Sequence, residues 1–245
     1  MSISSNDNYI KIWNLINWEC ILNLTNINKE GFLFSSCFLY QNNDIYIITS
    51  NFNFKGNSDP IKIFNLNKQK INEIKNSNEK TYFIDTFYDN ISSRKYIITG
   101  NLNFSQSYEY ENNNIYYKYN DNNSGYGINS IIITNNKGII KLIESSEDGI
   151  IRIFNFHSGS LLNKITISDS ILYGMSLWKD NFLLVGCKDK TIKIVDIEKI
   201  LMVKSLTGHN NRVLTIKTII HPEYGECILS QNWVDSEIKL WGYEI

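Results

Sequence analysis

Four aspartates come first among the residues that could do chemistry: Asp7, Asp148, Asp189 and Asp235. Gathered at one point, such carboxylates could act as general acid and base or hold a divalent cation. Three histidines, His157, His209 and His221, could be bases or metal ligands, but no two share metal-ligand spacing and no HExxH pair occurs. Four cysteines, Cys20, Cys37, Cys187 and Cys227, show no CxxC spacing and fall in or beside apolar runs, so buried free thiols are expected. No Gly-x-Ser-x-Gly elbow supplies a hydrolase nucleophile. Gly125-Tyr-Gly127 opens a phosphate-binding pattern, but Ser130 stands where the third glycine belongs and no helix is predicted to follow. The expectation is a chain that is not an enzyme, with no metal site and no cofactor.

The aspartates change meaning once their surroundings are compared. Each opens one recurring phrase: Asp7-Asn-Tyr-Ile-Lys-Ile-Trp13, Asp148-Gly-Ile-Ile-Arg-Ile-Phe154, Asp189-Lys-Thr-Ile-Lys-Ile-Val195 and Asp235-Ser-Glu-Ile-Lys-Leu-Trp241. A looser copy is Asp59-Pro-Ile-Lys-Ile-Phe64. The copies recur at roughly 40–50 residues with one doubled step, the mark of a repeated structural unit. Inside the doubled step, Tyr96-Ile-Ile-Thr-Gly-Asn-Leu-Asn-Phe104 repeats Tyr46-Ile-Ile-Thr-Ser-Asn-Phe-Asn-Phe54. Ile115–Tyr119 is then expected as the strand that follows it, and residues 103–114 as an insertion lengthening the hairpin before that strand. Such a loop, with Tyr116, Tyr117, Tyr119 and Tyr126 after it, could carry binding.

Alternation of apolar with charged residues predicts half-buried strands, and Asp with Gly, Lys or Ser between two such runs predicts tight hairpins. A further strand lies upstream of each pair and another downstream. Four antiparallel strands per repeat predict blades of a β-propeller. The aspartates are thus expected one per blade, accepting turn N–H bonds.

The last repeat is the fullest copy, with Gly208-His209, a strand from Val213, then Ser230, Asp235 and Lys239-Leu-Trp241. On these residues the chain resembles the WD40 family, and the resemblance extends over nearly all of it. It implies an all-β propeller in which His209, Ser230, Asp235 and Trp241 form one hydrogen-bonded structural network. The other repeats lack the Gly-His pair and put Phe64, Tyr119, Phe154 or Val195 at the aromatic position. Blades are expected at about 1–24 (partial), 31–75, 80–122, 127–167, 171–206 and 211–245, as one domain of residues 1–245. The first blade starts within its second strand and the last has no run for a fourth. The expectation is therefore an incomplete propeller, open at closure: a piece of a longer one, an open ring, or one completed by another chain.

Net charge is −1 and the isoelectric point is near 6.3, which argues against a nucleic-acid surface. No apolar stretch is long enough to cross a membrane, no signal peptide is read, and the cytoplasm is expected. The resemblance implies a protein-interaction scaffold that binds a peptide or partner subunit rather than a small-molecule substrate. The alternatives are an interaction domain cut from a longer enzyme, such as a kinase or ubiquitin-ligase component, and an RNA-binding propeller. Family partners dock where first strands begin and just before the turn aspartates. Those positions are Arg212 and Leu214, Ile171 and Tyr173, Phe32 and Phe34, with Asn6, Glu147, Lys188 and Val234 before the aspartates. Arg and Tyr among them suit an interface hot spot.

Overall fold

Side chains two apart on a strand share a face, so every Ile-x-Ile of the recurring phrase must lay two aliphatic groups against one neighbour. The computed structural model describes residues 2–4, 9–24, 32–52, 61–66, 70–74, 80–121, 125–136, 138–234 and 237–242. Among them are twenty-two strands and no helix, arranged in six antiparallel sheets. No helix there is long and apolar enough to cross a membrane. The chain divides into two compact units, Met1–Lys118 and Tyr119–Ile245.

In the first unit, β1 (Ser2–Ser4), β2 (Tyr9–Trp13) and β3 (Cys20–Leu24) form a three-stranded sheet. Next come β4 (Phe32–Gln41), β5 (Asp44–Phe52), β6 (Ile61–Asn65) and β7 (Lys70–Ile74), paired in that order. The third sheet is β8 (Thr81–Asp89), β9 (Arg94–Asn101), β10 (Ser105–Glu109) and β11 (Ile115–Tyr119). The second unit holds β12 (Ile128–Asn136), β13 (Ile139–Ser146), β14 (Ile150–Asn155) and β15 (Leu161–Thr166) in one sheet. A second contains β16 (Leu172–Trp178), β17 (Phe182–Cys187), β18 (Ile192–Asp196) and β19 (Leu201–Leu206). The last has three strands, β20 (Val213–His221), β21 (Gly225–Asn232) and β22 (Ile238–Trp241).

Each described copy of the phrase is a strand: the middle one of the first sheet, β2, and the third in four others, β6, β14, β18 and β22. In β2, β6, β14 and β18 the aliphatic pair packs on the sheet that follows. Ile10 and Ile12 cluster with Leu33 and Ile47, and Ile61 and Ile63 with Ile84 and Ile97. Ile151 and Ile153 meet Leu172 and Met175, while Ile192 and Ile194 meet Val213 and Ile216. Burying one such side chain contributes about 1.5–3 kcal/mol, so these stripes hold sheet to sheet.

The third sheet corrects one expectation. Residues 103–114 do not lengthen a hairpin, because Ser105–Glu109 pair with Tyr96–Gly100 as the third strand. Ile115–Tyr119 is the fourth strand, not the third. The segment hid because it reads Ser-Gln-Ser-Tyr, with no apolar alternation. Ser105, Gln106, Ser107 and Tyr108 are nonetheless all buried. Tyr108 Oη donates to Gln106 Oε1 at 3.1 Å, and Thr99 Oγ1 donates to the Gln106 carbonyl at 3.4 Å. A polar strand is tolerated there because its groups find partners inside the sheet.

Cys20 is also corrected: it is exposed, whereas Cys37, Cys187 and Cys227 are buried. Cys20 lies on β3, a strand whose burial pattern is mostly open.

Candidate protein-binding face

The described turn aspartates occupy separate hairpins rather than one cluster. Asp148 Oδ1 accepts the Ile150 N–H and Asp189 Oδ1 accepts the Thr191 N–H, both at 3.1 Å. Burial would raise the Asp189 pKa, but hydrogen bonds from Thr191 and Lys193 outweigh it and hold the carboxyl below its usual value. Asp148 also receives both terminal nitrogens of Arg152, whose Nε reaches Asp121 at 2.6 Å. Asp7 and Asp235 lie outside the described residues. Among the described residues no three His, Cys, Asp or Glu side chains are grouped to hold a metal.

His209 is buried, with Nε2 2.6 Å from Ser230 Oγ. Trp241 Nε1, a donor only, gives its hydrogen to the same Oγ at 2.7 Å. In the tautomer where the Ser230 hydroxyl donates to His209 Nε2, the ring proton sits on Nδ1, facing Glu237 Oε2 at 3.4 Å. Burial lowers the His209 pKa, and Glu237 only partly offsets this, so the ring is neutral near pH 7. Gly208 precedes it because a Cβ there would lie 2.9 Å from Trp241 Cη2. His221 is a turn residue whose Nδ1 accepts the Glu223 and Tyr224 N–H groups. His157 packs edge-on against Phe156, ring centroids 5.4 Å apart.

The expected docking positions of the second unit fall on a repeated device. Each first strand carries a register shift near its start, between Ile128 and Ser130 in β12, Leu172 and Met175 in β16, and Val213 and Thr215 in β20. A bulge of this kind bends the strand and re-aims a side chain out of the ladder. Tyr173 and Leu214 are the re-aimed residues, and Asn129 is their counterpart in β12. In the first unit the same shift brackets Phe34 in β4 and Tyr82 in β8. The side chains of Phe32 and Phe34, and all of Asn6, lie outside what the structure describes.

Equivalent backbone bonds align the sheets further. Glu147 N–H donates to the Gly127 carbonyl at 3.0 Å, Lys188 N–H to Ile171 at 2.9 Å, and Trp233 N–H to Arg212 at 3.1 Å. Trp233 therefore holds in the last sheet the place that Glu147 and Lys188 hold in theirs. Val234, which counting back from Asp235 selects, is the next residue and is 61% exposed. The last repeat has a longer turn than its relatives, and that offset hid Trp233 from the sequence count.

Arg212 organises this edge. Its Cζ lies 4.5 Å from the Trp233 ring centroid, and Nη1 donates to Tyr173 Oη at 3.3 Å. Trp233 is 57% exposed, and Arg212 and Tyr173 are half-buried. Ser145 Oγ donates to the Tyr173 carbonyl at 2.7 Å, which fixes the bulge that presents the ring. Gly174 beside it is required: a Cβ would come 2.5 Å from the Leu214 carbonyl oxygen. Ile171 and Leu214 are half-buried and Lys188 is exposed around the trio. Glu147 is committed inward, its Oε2 accepting the Gly127 N–H at 3.0 Å. The result is a prebuilt Arg–aromatic cluster with partly exposed apolar area, of the residue types enriched in interface hot spots.

No family model matches the chain. A stretch of 118 residues, 48% of the chain, is 26% identical to the U3 small nucleolar RNA-associated protein 21 homolog of Schizosaccharomyces pombe. Another of 80 residues, 32% of the chain, is 34% identical to the WD repeat domain-containing protein 83 homolog of Dictyostelium discoideum. The matches span 12% and 24% of those proteins' lengths, far below two thirds. The repeated antiparallel sheets, with the recurring phrase in the third strand of four of them, agree with the likeness to a WD repeat protein. The chain is similar to WD repeat proteins, and its repeated antiparallel sheets support a WD40 propeller.

Proposed function

We propose that this chain is a non-catalytic scaffold that binds a partner protein through the edge carrying Arg212, Tyr173 and Trp233, with Ile171, Lys188, Leu214 and Val234 around it. The observation that carries this is the Arg212 side chain held between Trp233 and Tyr173, all three still partly open to solvent. Arg, Trp and Tyr are the residue types that dominate binding energy, and a true hot spot costs about 2 kcal/mol or more on truncation. The likeness to a protein named for association with a small nucleolar RNA supports membership of a nucleolar RNA-processing assembly. That setting replaces the cytoplasm in this reading. With net charge −1, contact with the assembly runs through protein rather than RNA.

The test compares the tagged chain with its Tyr173→Ala/Arg212→Ala variant in quantitative pull-downs from a native nuclear extract, with and without RNase. Both forms must first show the same unfolding midpoint. Partner proteins retained by the unmodified chain in both conditions, and lost by the variant, support the proposal. Equal recovery by the two forms would remove the site from this edge, and recovery abolished by RNase would transfer the function to RNA binding.

A further inference from the structure

Gln41 Oε1 and Asn113 Oδ1, both in the first unit, are buried and accept no hydrogen bond. Both residues line one hollow of ≈ 280 Å³. Ile63, Asn72, Tyr110 and Glu111 complete its described lining, which holds a carboxylate and no basic side chain. A buried acceptor left unpaired lowers stability, and native folds rarely keep such groups together without a use. One water accounts for about 30 Å³ of liquid, so the hollow has room for a side chain. We propose that this hollow receives an arginine side chain from a partner protein, its guanidinium donating to Gln41, Asn113 and Glu111.

Acceptors without donors select a donor-only group, and a guanidinium is a planar fork of N–H groups that accepts nothing. Tyr110 offers that plane a ring to stack on. The ring is held edge-on by Tyr46, centroids 5.9 Å apart, and Tyr46 Oη donates to Asp44 Oδ2 at 3.4 Å. Burial, then Tyr46, Glu111 and Asp44, raise the Tyr110 pKa, so negative charge already reaches the phenol. The bases on the strands of the third sheet are committed elsewhere. Arg94 pairs with Glu109, Lys95 Nζ donates to the Tyr40 carbonyl, and Lys118 Nζ lies 3.7 Å from the Phe104 ring centroid. The acceptors are also prebuilt. Gln41 ends β4 at a tight turn whose Asn42 and Asn43 have φ of 50° and 64°, which asparagine tolerates. The β10–β11 turn is tied by the Asn113 N–H to the Glu109 carbonyl and by Asn112 Nδ2 to Glu109 Oε2, both at 2.8 Å. Groups already held in place need little ordering when a ligand arrives. The hollow lies wholly in the first unit, so it adds to the scaffold a contact independent of Arg212 and its neighbours.

The test titrates the isotope-labelled full chain with N-acetyl-arginine methylamide and follows amide shifts by NMR. The citrulline analogue, neutral and of the same shape, and the lysine analogue are the controls. Saturable shifts should appear at the side-chain amides of Gln41 and Asn113 and at the backbone of Tyr110 and Glu111. The dissociation constant should be roughly tenfold lower for arginine than for either control. A Glu111→Lys chain, exposed at that position and with its unfolding midpoint unchanged, should lose the probe, and Glu111→Gln should weaken it. The Tyr173→Ala/Arg212→Ala chain should keep it, which separates this result from that of the other edge. The proposal is overturned by no saturable shift at these residues, because water alone then meets the two acceptors. It is also overturned by equal affinity for either control, by shifts only elsewhere, or by a Glu111→Lys chain that binds as well as the unmodified one.

Discussion

Replacing Arg152 with methionine should destabilise the chain by about 3 kcal/mol, the lower end of the range for breaking a buried ion pair. The Arg152 and Asp121 side chains are each 3% exposed, and that of Asp148 is 8% exposed. One guanidinium serves both carboxylates, through Nε to Asp121 and through both terminal nitrogens to Asp148. Burial opposes the charge on Arg152, yet the bonds to Asp148 and Asp121 outweigh it and raise its pKa above the ordinary value. Methionine fills similar space but strands two carboxylates. Lys164 Nζ, 2.6 Å from Asp121, and the Ile150 N–H on Asp148 soften the loss, hence the lower end of the range. Arg152→Lys keeps a charge but not the planar fork, and should cost roughly half as much. The assay is urea unfolding of the full chain followed by tryptophan fluorescence, with hydrogen exchange at residues 141–155 as the local readout. A loss of 3 kcal/mol lowers the folding constant roughly 150-fold. Combining Arg152→Met with Asp121→Asn and Asp148→Asn should recover part of the loss, because no unpaired charge then stays buried. A deficit below about 1 kcal/mol for Arg152→Met, or no recovery in the triple variant, would refute the reasoning.

Because burial depresses the His209 pKa, an unfolded chain binds a proton more readily than the native one below about pH 6.5. The native chain should therefore lose stability as pH falls through that value, and His209→Gln should flatten the fall in thermal midpoint against pH. Gly149→Ala should cost at least about 2 kcal/mol, since φ is +79° and a Cβ would sit 1.8 Å from the Ser168 carbonyl oxygen. An unchanged midpoint would show that this turn is built differently. Iodoacetamide at pH 8 should label Cys20 first: burial pushes the Cys187 thiol up to about 12 and raises Cys37 further, and the thiolate is the reactive form. Labelling of Cys187 in the native chain at the rate of Cys20 would contradict its burial.

The blades were legible because their stripes are apolar at period two, and Ile151, Ile153, Ile192 and Ile194 do pack as that pattern requires. The partners of His209 were implied by the resemblance of Gly208-His209, Ser230 and Trp241 to the WD40 pattern, and His209 and Trp241 do meet at the Ser230 hydroxyl. β10 was not, because its burial is satisfied by hydrogen bonds at Gln106 rather than announced by hydrophobicity. Trp233 escaped because position was counted back from Asp235, whereas the ladder Val213↔Asn232 fixes it from the other side. The cleft walled by Trp178, Phe182, Ile194, Leu206, Ile228 and Trp241 left no trace in the sequence, because these residues come from six strands whose juxtaposition only packing determines.

The first-strand bulge has a consequence for how such a chain can change. A residue set outside the ladder contributes little to register, so Tyr173, Leu214, Asn129 and Tyr82 can each be exchanged while the strands around them stay paired. The sheets thus act as a constant frame bearing interchangeable characters, one per blade, and a new partner can be spelled out by substitution at these places with small effect on folding.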